Sequence, residues 1–299
     1  MGDVVSNFSD FISGGGNASQ VNETIDINST ANLITLADGR VYLKGGVTET
    51  DVATYPDATA ALAYTGIFWV TYSQVTNEAD IAYDGTYLWV LDSNPCAIYK
   101  YSTAGDYQNV TFSVESQDTN MFGAVIVGTD FYMVGTQNDK VYKYNSAGVF
   151  QSDFSIASQT TTAKGIAFDG TYLYVASGSG SASTIHKYST AGTYQNVVYT
   201  ITAQDNNVQG ITWDGNFFYV AGRQNNSIYQ YTAAGAYTGV TVSVASQGTR
   251  PTGIVFGDSA YWVTQDTNGG VNKYLNQIGV VSETGTPLTQ GKQNYIRIK

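Results

Sequence analysis

The chain has one histidine, His186, and one cysteine, Cys96, and these limit the chemistry on offer. A Ser-His-Asp triad would have to use His186. That residue lies in Ile185-His-Lys-Tyr188, at a recurring position held elsewhere by Tyr99, Tyr142, Tyr229 and Asn272, so it reads as a strand surface position. A zinc site needs three or four nitrogen, sulfur or oxygen ligands, mostly His and Cys, so no metal is expected. A lone thiol allows no intramolecular disulfide, and Cys96 reads as a buried spectator. No glycine-rich loop opens a helix in the manner of a phosphate cradle, and no cofactor is expected.

Carboxylates remain. Glycoside hydrolysis needs two converging acids. Asp80 replaces the glycine that opens the equivalent strands at Gly123, Gly165, Gly210 and Gly253, and it is the acid of most interest. It has no evident second. Asp84, Asp169 and Asp214 each precede glycine and read as turn formers. The expectation is therefore no catalytic residue and no enzyme, with a propeller glycosidase as the least favoured reading.

Binding residues are more abundant. Polar loops carry Gln117, Asp118, Asn120, Gln204, Asp205, Asn206, Gln247 and Arg250, with Arg223 and Asn225 beside them. Amides and carboxylates of this kind pair well with sugar hydroxyls or a protein partner. The competing reading is that such residues terminate strands, and that the glutamines link neighbouring repeats through the backbone.

The elements that position these loops follow from repetition. Gln74, Gln117, Gln159, Gln204 and Gln247 recur at intervals of 43, 42, 45 and 43 residues. A second ladder, Ile98-Tyr-Lys-Tyr101 through Val271-Asn-Lys-Tyr274, keeps the same step. A period of this length, built of short alternating strands and Gly-containing turns, predicts four-stranded propeller blades. The segment Ala63 to Gln74 aligns without a gap to Ala236 to Gln247. The array thus begins with an outer strand and lacks one at its end. An all-β, five-bladed β-propeller follows, with the N-terminal strand completing the last blade and removing two open sheet edges. Three parts are expected: an attachment segment over residues 1–62, the propeller over 63–282, and a C-terminal strand over 283–299 that joins the N-terminal flank in a small β-rich base.

The formal charge of −11 argues against nucleic acid and anionic membrane as partners. No basic and apolar leader opens the chain, so a secretory signal is not expected. A short helix is expected near Val4 to Ile12.

The flanks carry Asp38-Gly-Arg-Val-Tyr-Leu-Lys44, Asp51-Val-Ala-Thr-Tyr-Pro-Asp57 and Tyr295-Ile-Arg-Ile-Lys299. These motifs resemble tail-fibre and appendage proteins of tailed bacteriophages. The resemblance implies a structural virion protein whose N-terminal segment contacts other virion proteins and whose propeller faces a host glycan or receptor. It also implies a homo-oligomer, with a trimer favoured. The repeats look like five-bladed lectin propellers in architecture and period alone, which leaves a free-standing lectin as the alternative.

Overall fold

The computed structural model describes residues 22–25, 33–35, 41–45, 61–71, 73–267, 269–277 and 293–298. They divide between two compact units, one spanning 59–279 and one built from the two chain ends. The larger unit is a five-bladed β-propeller of four-stranded antiparallel sheets, and no helix occurs among the described residues. The first blade comprises Glu78–Tyr83, Leu88–Ser93, Cys96–Tyr101 and Tyr107–Ser113. The second comprises Met121–Val127, Asp130–Gly135, Lys140–Tyr144 and Phe150–Ser155. The third comprises Ala163–Phe168, Tyr172–Gly178, Ser183–Ser189 and Tyr194–Thr200. The fourth comprises Val208–Trp213, Phe217–Gly222, Ser227–Thr232 and Tyr237–Ser243.

The fifth blade has Pro251–Gly257, Ala260–Gln265 and Gly270–Gln277, and its outer strand is Ala61–Val70 from the start of the array. Gly270 pairs with Val70 and Gln277 with Ala61. The gapless alignment anticipated this closure. The closing strand also packs as its counterparts do. Trp69, Phe112, Phe154 and Tyr199 each sit beneath a turn glycine of the next blade. A Cβ on Gly105, Gly148, Gly192 or Gly235 would lie 2.5, 2.3, 2.4 or 2.2 Å from the respective ring Cγ. These glycines also have φ between +76° and +93°, so both backbone conformation and space demand a missing side chain.

The second ladder has a similar explanation. Its lysine stands opposite an aromatic residue of the second strand, in the pairs Trp89 with Lys100, Tyr132 with Lys143, Tyr174 with Lys187 and Trp262 with Lys273. The ammonium lies 5.1, 5.6, 5.4 and 4.7 Å from the ring centre, worth roughly 0.5–1 kcal/mol each at a part-exposed site. The fourth blade has Gln230 there, whose Nε2 donates to Tyr219 Oη at 2.6 Å. His186 corrects the expected surface position: it is 8% exposed, its Nε2 2.9 Å from Thr184 Oγ1 and its ring 6.2 Å from that of Tyr194 on the outer strand.

The chain-end unit contains a four-stranded sheet in the order Asn22–Ile25, Gln293–Ile298, Val41–Gly45, Leu33–Thr35. Each pairing in it is antiparallel. Leu33 pairs with Leu43 and Thr35 with Val41. The helix expected near residues 4–12 and the Asp51 to Asp57 motif lie outside the described residues.

Candidate functional site

One end of the ring carries two sets of loops: those leading from an outer strand into the next blade, and those joining second strand to third. Each glutamine of the first ladder closes a turn in the former, its N–H donating to the carbonyl three residues back. Its side chain accepts a hydrogen bond from the last tyrosine of the second ladder. Tyr101, Tyr144, Tyr188, Tyr231 and Tyr274 donate to Oε1 of Gln74, Gln117, Gln159, Gln204 and Gln247 at 3.2–3.3 Å. The two ladders are the two halves of one repeated bond. It ties the loop that leaves one blade to the third strand of the next, through a tyrosine hydroxyl rather than the backbone.

The acids beside those glutamines latch the loop sets together. Asp118 is 1% exposed and accepts from the N–H groups of Asn120 at 2.9 Å and Asn138 at 3.1 Å, and from Tyr142 Oη at 3.1 Å. Asp205, 2% exposed, accepts from Asn207 N–H at 2.8 Å and Asn225 N–H at 3.0 Å. Opposite each stands a glycine, Gly135 or Gly222, whose Cβ would come within 2.5 Å of the carboxylate. In the first blade the acid sits on the other loop: Asp92 accepts from Thr76 N–H at 2.9 Å and Asn94 N–H at 2.8 Å. In the fifth blade Gln265 reaches back, donating to the carbonyls of Gly248 at 2.9 Å and Val244 at 3.2 Å. In these four blades one polar side chain fills the slot from either side and its partner, Gly135, Gly222, Val75 or Gly248, is small or apolar; the third blade has Thr160 and Ser177 there. Asp118 and Asp205, expected as binding residues, are thus engaged within the protein.

The axis forms a second candidate. Gly123, Gly165, Gly210 and Gly253 bring the innermost strands so close that an added Cβ would lie within 2.4–2.8 Å of the adjacent blade. Asp80 alone places a side chain in this ring. It is 1% exposed, and its Oδ2 accepts from Ala124 N–H of the second blade at 3.0 Å, while Oδ1 has no hydrogen-bond partner. Burial pushes its pKa well above the carboxylate range, against the opposing pull of the amides of Ala124, Ile81 and Ile254. One residue farther along the strands begins an axial cavity of about 130 Å³, lined from all five blades by residues that include Ile81, Ala124, Ile166, Ile211 and Ile254. On the other side of the ring Lys164 lies 3.1 Å over the Phe122 ring, and burial lowers its pKa to about 8. Glu78 accepts from the Thr71 hydroxyl, and burial raises its pKa. Sequence reasoning passed over Lys164, whose signal was its place beside Gly165 in an inner strand.

Among the remaining loop residues Asn120, Asn225 and Arg250 are exposed, and Asn206 and Arg223 half-buried. Asn120 Nδ2 donates to Thr136 Oγ1 at 2.8 Å, and Asn225 Nδ2 to the Gln204 carbonyl at 2.9 Å. Asn206 accepts Gly180 N–H at 2.9 Å on its carbonyl, and its Oδ1 is buried without a partner. Arg223 and Arg250 converge on Asp266 Oδ2, at 2.6 and 3.3 Å. Among the described residues no group of three or more His, Cys, Asp or Glu is placed to hold a metal.

No protein-family model and no curated protein matches this chain. Solved structures do. A Myxococcus xanthus glutaminyl cyclase superposes with a TM-score of 0.57 at 10% identity, covering 72% of this chain and 96% of that one. A streptogramin B lyase gives 0.45 at 17% identity, over 75% and 76%. A virginiamycin B lyase from Staphylococcus aureus gives 0.42 at 13% identity, over 87% and 89%. The phage resemblance of the flanks has no counterpart among these three. The expectation that the chain is not an enzyme is corrected by the first: the same fold carries an enzyme there, so the architecture does not exclude catalysis.

Proposed function

We propose that the chain is a component of a tailed-phage virion, an appendage whose chain-end unit attaches to neighbouring virion proteins and whose propeller engages a host surface. The pairing of Val41–Gly45 with Gln293–Ile298 supports this reading. It sets Tyr42 against Arg297 and Leu43 against Ile296, so two of the motifs that carry the phage likeness become neighbours in one sheet. A propeller inserted between paired strands can change its loops without disturbing the unit that carries it. In this reading residues 1–62 and 283–299 attach, residues 63–282 are displayed, and a closed trimer is the assembly.

Density-gradient fractionation of particles from a producing lysate tests the proposal. The chain is expected to migrate with the particles, and deletion of residues 283–299 to shift it into the soluble fraction with its propeller folded. Recovery of the intact chain in the soluble fraction alone overturns it.

A further inference from the structure

The loop-bearing end of the ring repeats one backbone bond five times. Ser93, Thr136, Gly178, Arg223 and Asp266 donate N–H to the carbonyls of Asn77, Asn120, Thr162, Asn207 and Arg250, at 3.0–3.3 Å. Because the backbone is equivalent, the side chains at these ten positions can be compared directly. In the first three blades they are Ser, Thr, Gly and Asn. In the fourth and fifth they include Arg223, Arg250 and Asp266. The chain has four arginines, and the two in the propeller are this pair. The fold does not need them there, since three blades make the same bond with uncharged residues.

Arg250 is also held in the left-handed region, at φ +61°. Its N–H donates to Asn226 Oδ1 at 2.6 Å. A non-glycine residue kept in that conformation costs about 1–2 kcal/mol. Both guanidinium groups meet one carboxylate oxygen, with side chains 22% and 54% exposed. Each guanidinium has five N–H donors in a planar fork, more than one carboxylate oxygen can accept. Two guanidinium groups thus share one carboxylate on a chain of net charge −11.

We propose that Arg223 and Arg250 form a recognition site for an anionic group, carboxylate or phosphate, on a surface polysaccharide. The inference rests on the host-facing role proposed above and names its ligand class. A fork of N–H donors pairs with two oxygens of such a group in a bidentate manner. Overall negative charge works against indiscriminate binding of polyanions, so a measured preference has to come from a local site.

Biolayer interferometry with the whole chain tests this, using immobilised polygalacturonate (carboxylate), phosphomannan (phosphate) and dextran (neutral). Binding to at least one anionic polymer and not to dextran is expected, and the polymer bound names the group. Arg250→Gln and Arg223→Gln should each weaken binding at least tenfold at low salt with an unchanged melting temperature. Lys187→Gln, an equal charge change on a third strand, should alter it less than twofold. Equal binding to dextran, no binding to either anionic polymer, or arginine variants within twofold of the parent would overturn the site. Variants that lose thermal stability but keep their affinity would make the arginines a blade tie only, which also overturns it. Particle association reads the chain-end unit and is indifferent to these substitutions, so failure of the site and failure of the virion role are separable.

Discussion

Gly148→Ala should cost far more stability than its chemistry suggests. The position has φ +76° and a new Cβ would lie 2.3 Å from Phe112 Cγ, in the neighbouring blade. Left-handed backbone with a side chain costs about 1–2 kcal/mol. Forcing a methyl group into an aromatic ring adds about 1–3 kcal/mol. Gly170→Ala is the control, since φ there is +96° and nothing lies within 4 Å of the added carbon. It should show the conformational cost alone, so the two variants differ by about 1–3 kcal/mol. For a domain of this size that is a gap of about 2–12 °C in melting temperature, at roughly 2–4 °C per kcal/mol. Urea denaturation gives the free energies directly. Phe112→Ala combined with Gly148→Ala should recover at least about 1 kcal/mol relative to the sum of the single changes. If Gly148→Ala is no worse than Gly170→Ala, or the double change is additive, the interlock does not hold the ring together.

Asp80→Asn should stabilise the protein near pH 8. A carboxyl whose folded pKa is raised contributes fully below the unfolded value, and that contribution falls as pH rises toward the folded value, by about 1.4 kcal/mol per unit of pKa elevation. The difference in melting temperature between variant and parent should therefore grow from pH 5 to pH 8, and a flat difference refutes the assignment. His186 has the opposite sign: burial lowers its pKa, so stability present above about pH 6.5 is lost as the unfolded chain takes up a proton below it. His186→Tyr, the residue of three other blades, should remove that acid-side loss in a thermal scan. Asp205→Gly should cost about 2–4 kcal/mol by stranding two backbone N–H groups. Adding Gly222→Asp, which copies the arrangement of Asp92 in the first blade, should restore at least half of it in urea denaturation.

Much of the architecture was legible because a repeat announces itself. Gln74 to Gln247 gave the number of blades, and the match of Ala63 to Gln74 with a later outer strand gave the closure. The bond between each glutamine and a tyrosine 27 to 29 residues onward was hidden although both partners had been noticed. Periodicity shows that two residues recur together, whereas contact across a blade boundary depends on how the blades twist. Asp118 and Asp205 were misleading for a related reason. A latch filled from either of two loops leaves no fixed column in an alignment of repeats, and only Gly135 and Gly222, the small partners, betray it. Asp80 was conspicuous as the one break in a ring of glycines, yet its burial depends on five strands meeting at the axis.

These misreadings share a principle that bears on where function resides. Residues that recur from blade to blade are consumed by the fold: glutamine by tyrosine in all five, lysine by an aromatic ring and turn glycine by the ring beneath it in four. The symmetric part of the surface therefore has little left with which to recognise anything. Departures from the repeat are different, because the other blades demonstrate that the backbone folds without them. Asp80 and Lys164 near the axis and Arg223, Arg250 and Asp266 on the rim are such departures. They lie in the first, third, fourth and fifth blades, toward the end that carries the longer loops. Burying Asp80 with an unpartnered oxygen, desolvating Lys164 and holding Arg250 at positive φ each cost stability. A repeat protein could erase the first and the third by reverting to its own consensus, Gly at the one and Asn at the other, and the second by taking the residue of any other blade. That asymmetric set is what the fold leaves free for a binding or catalytic role.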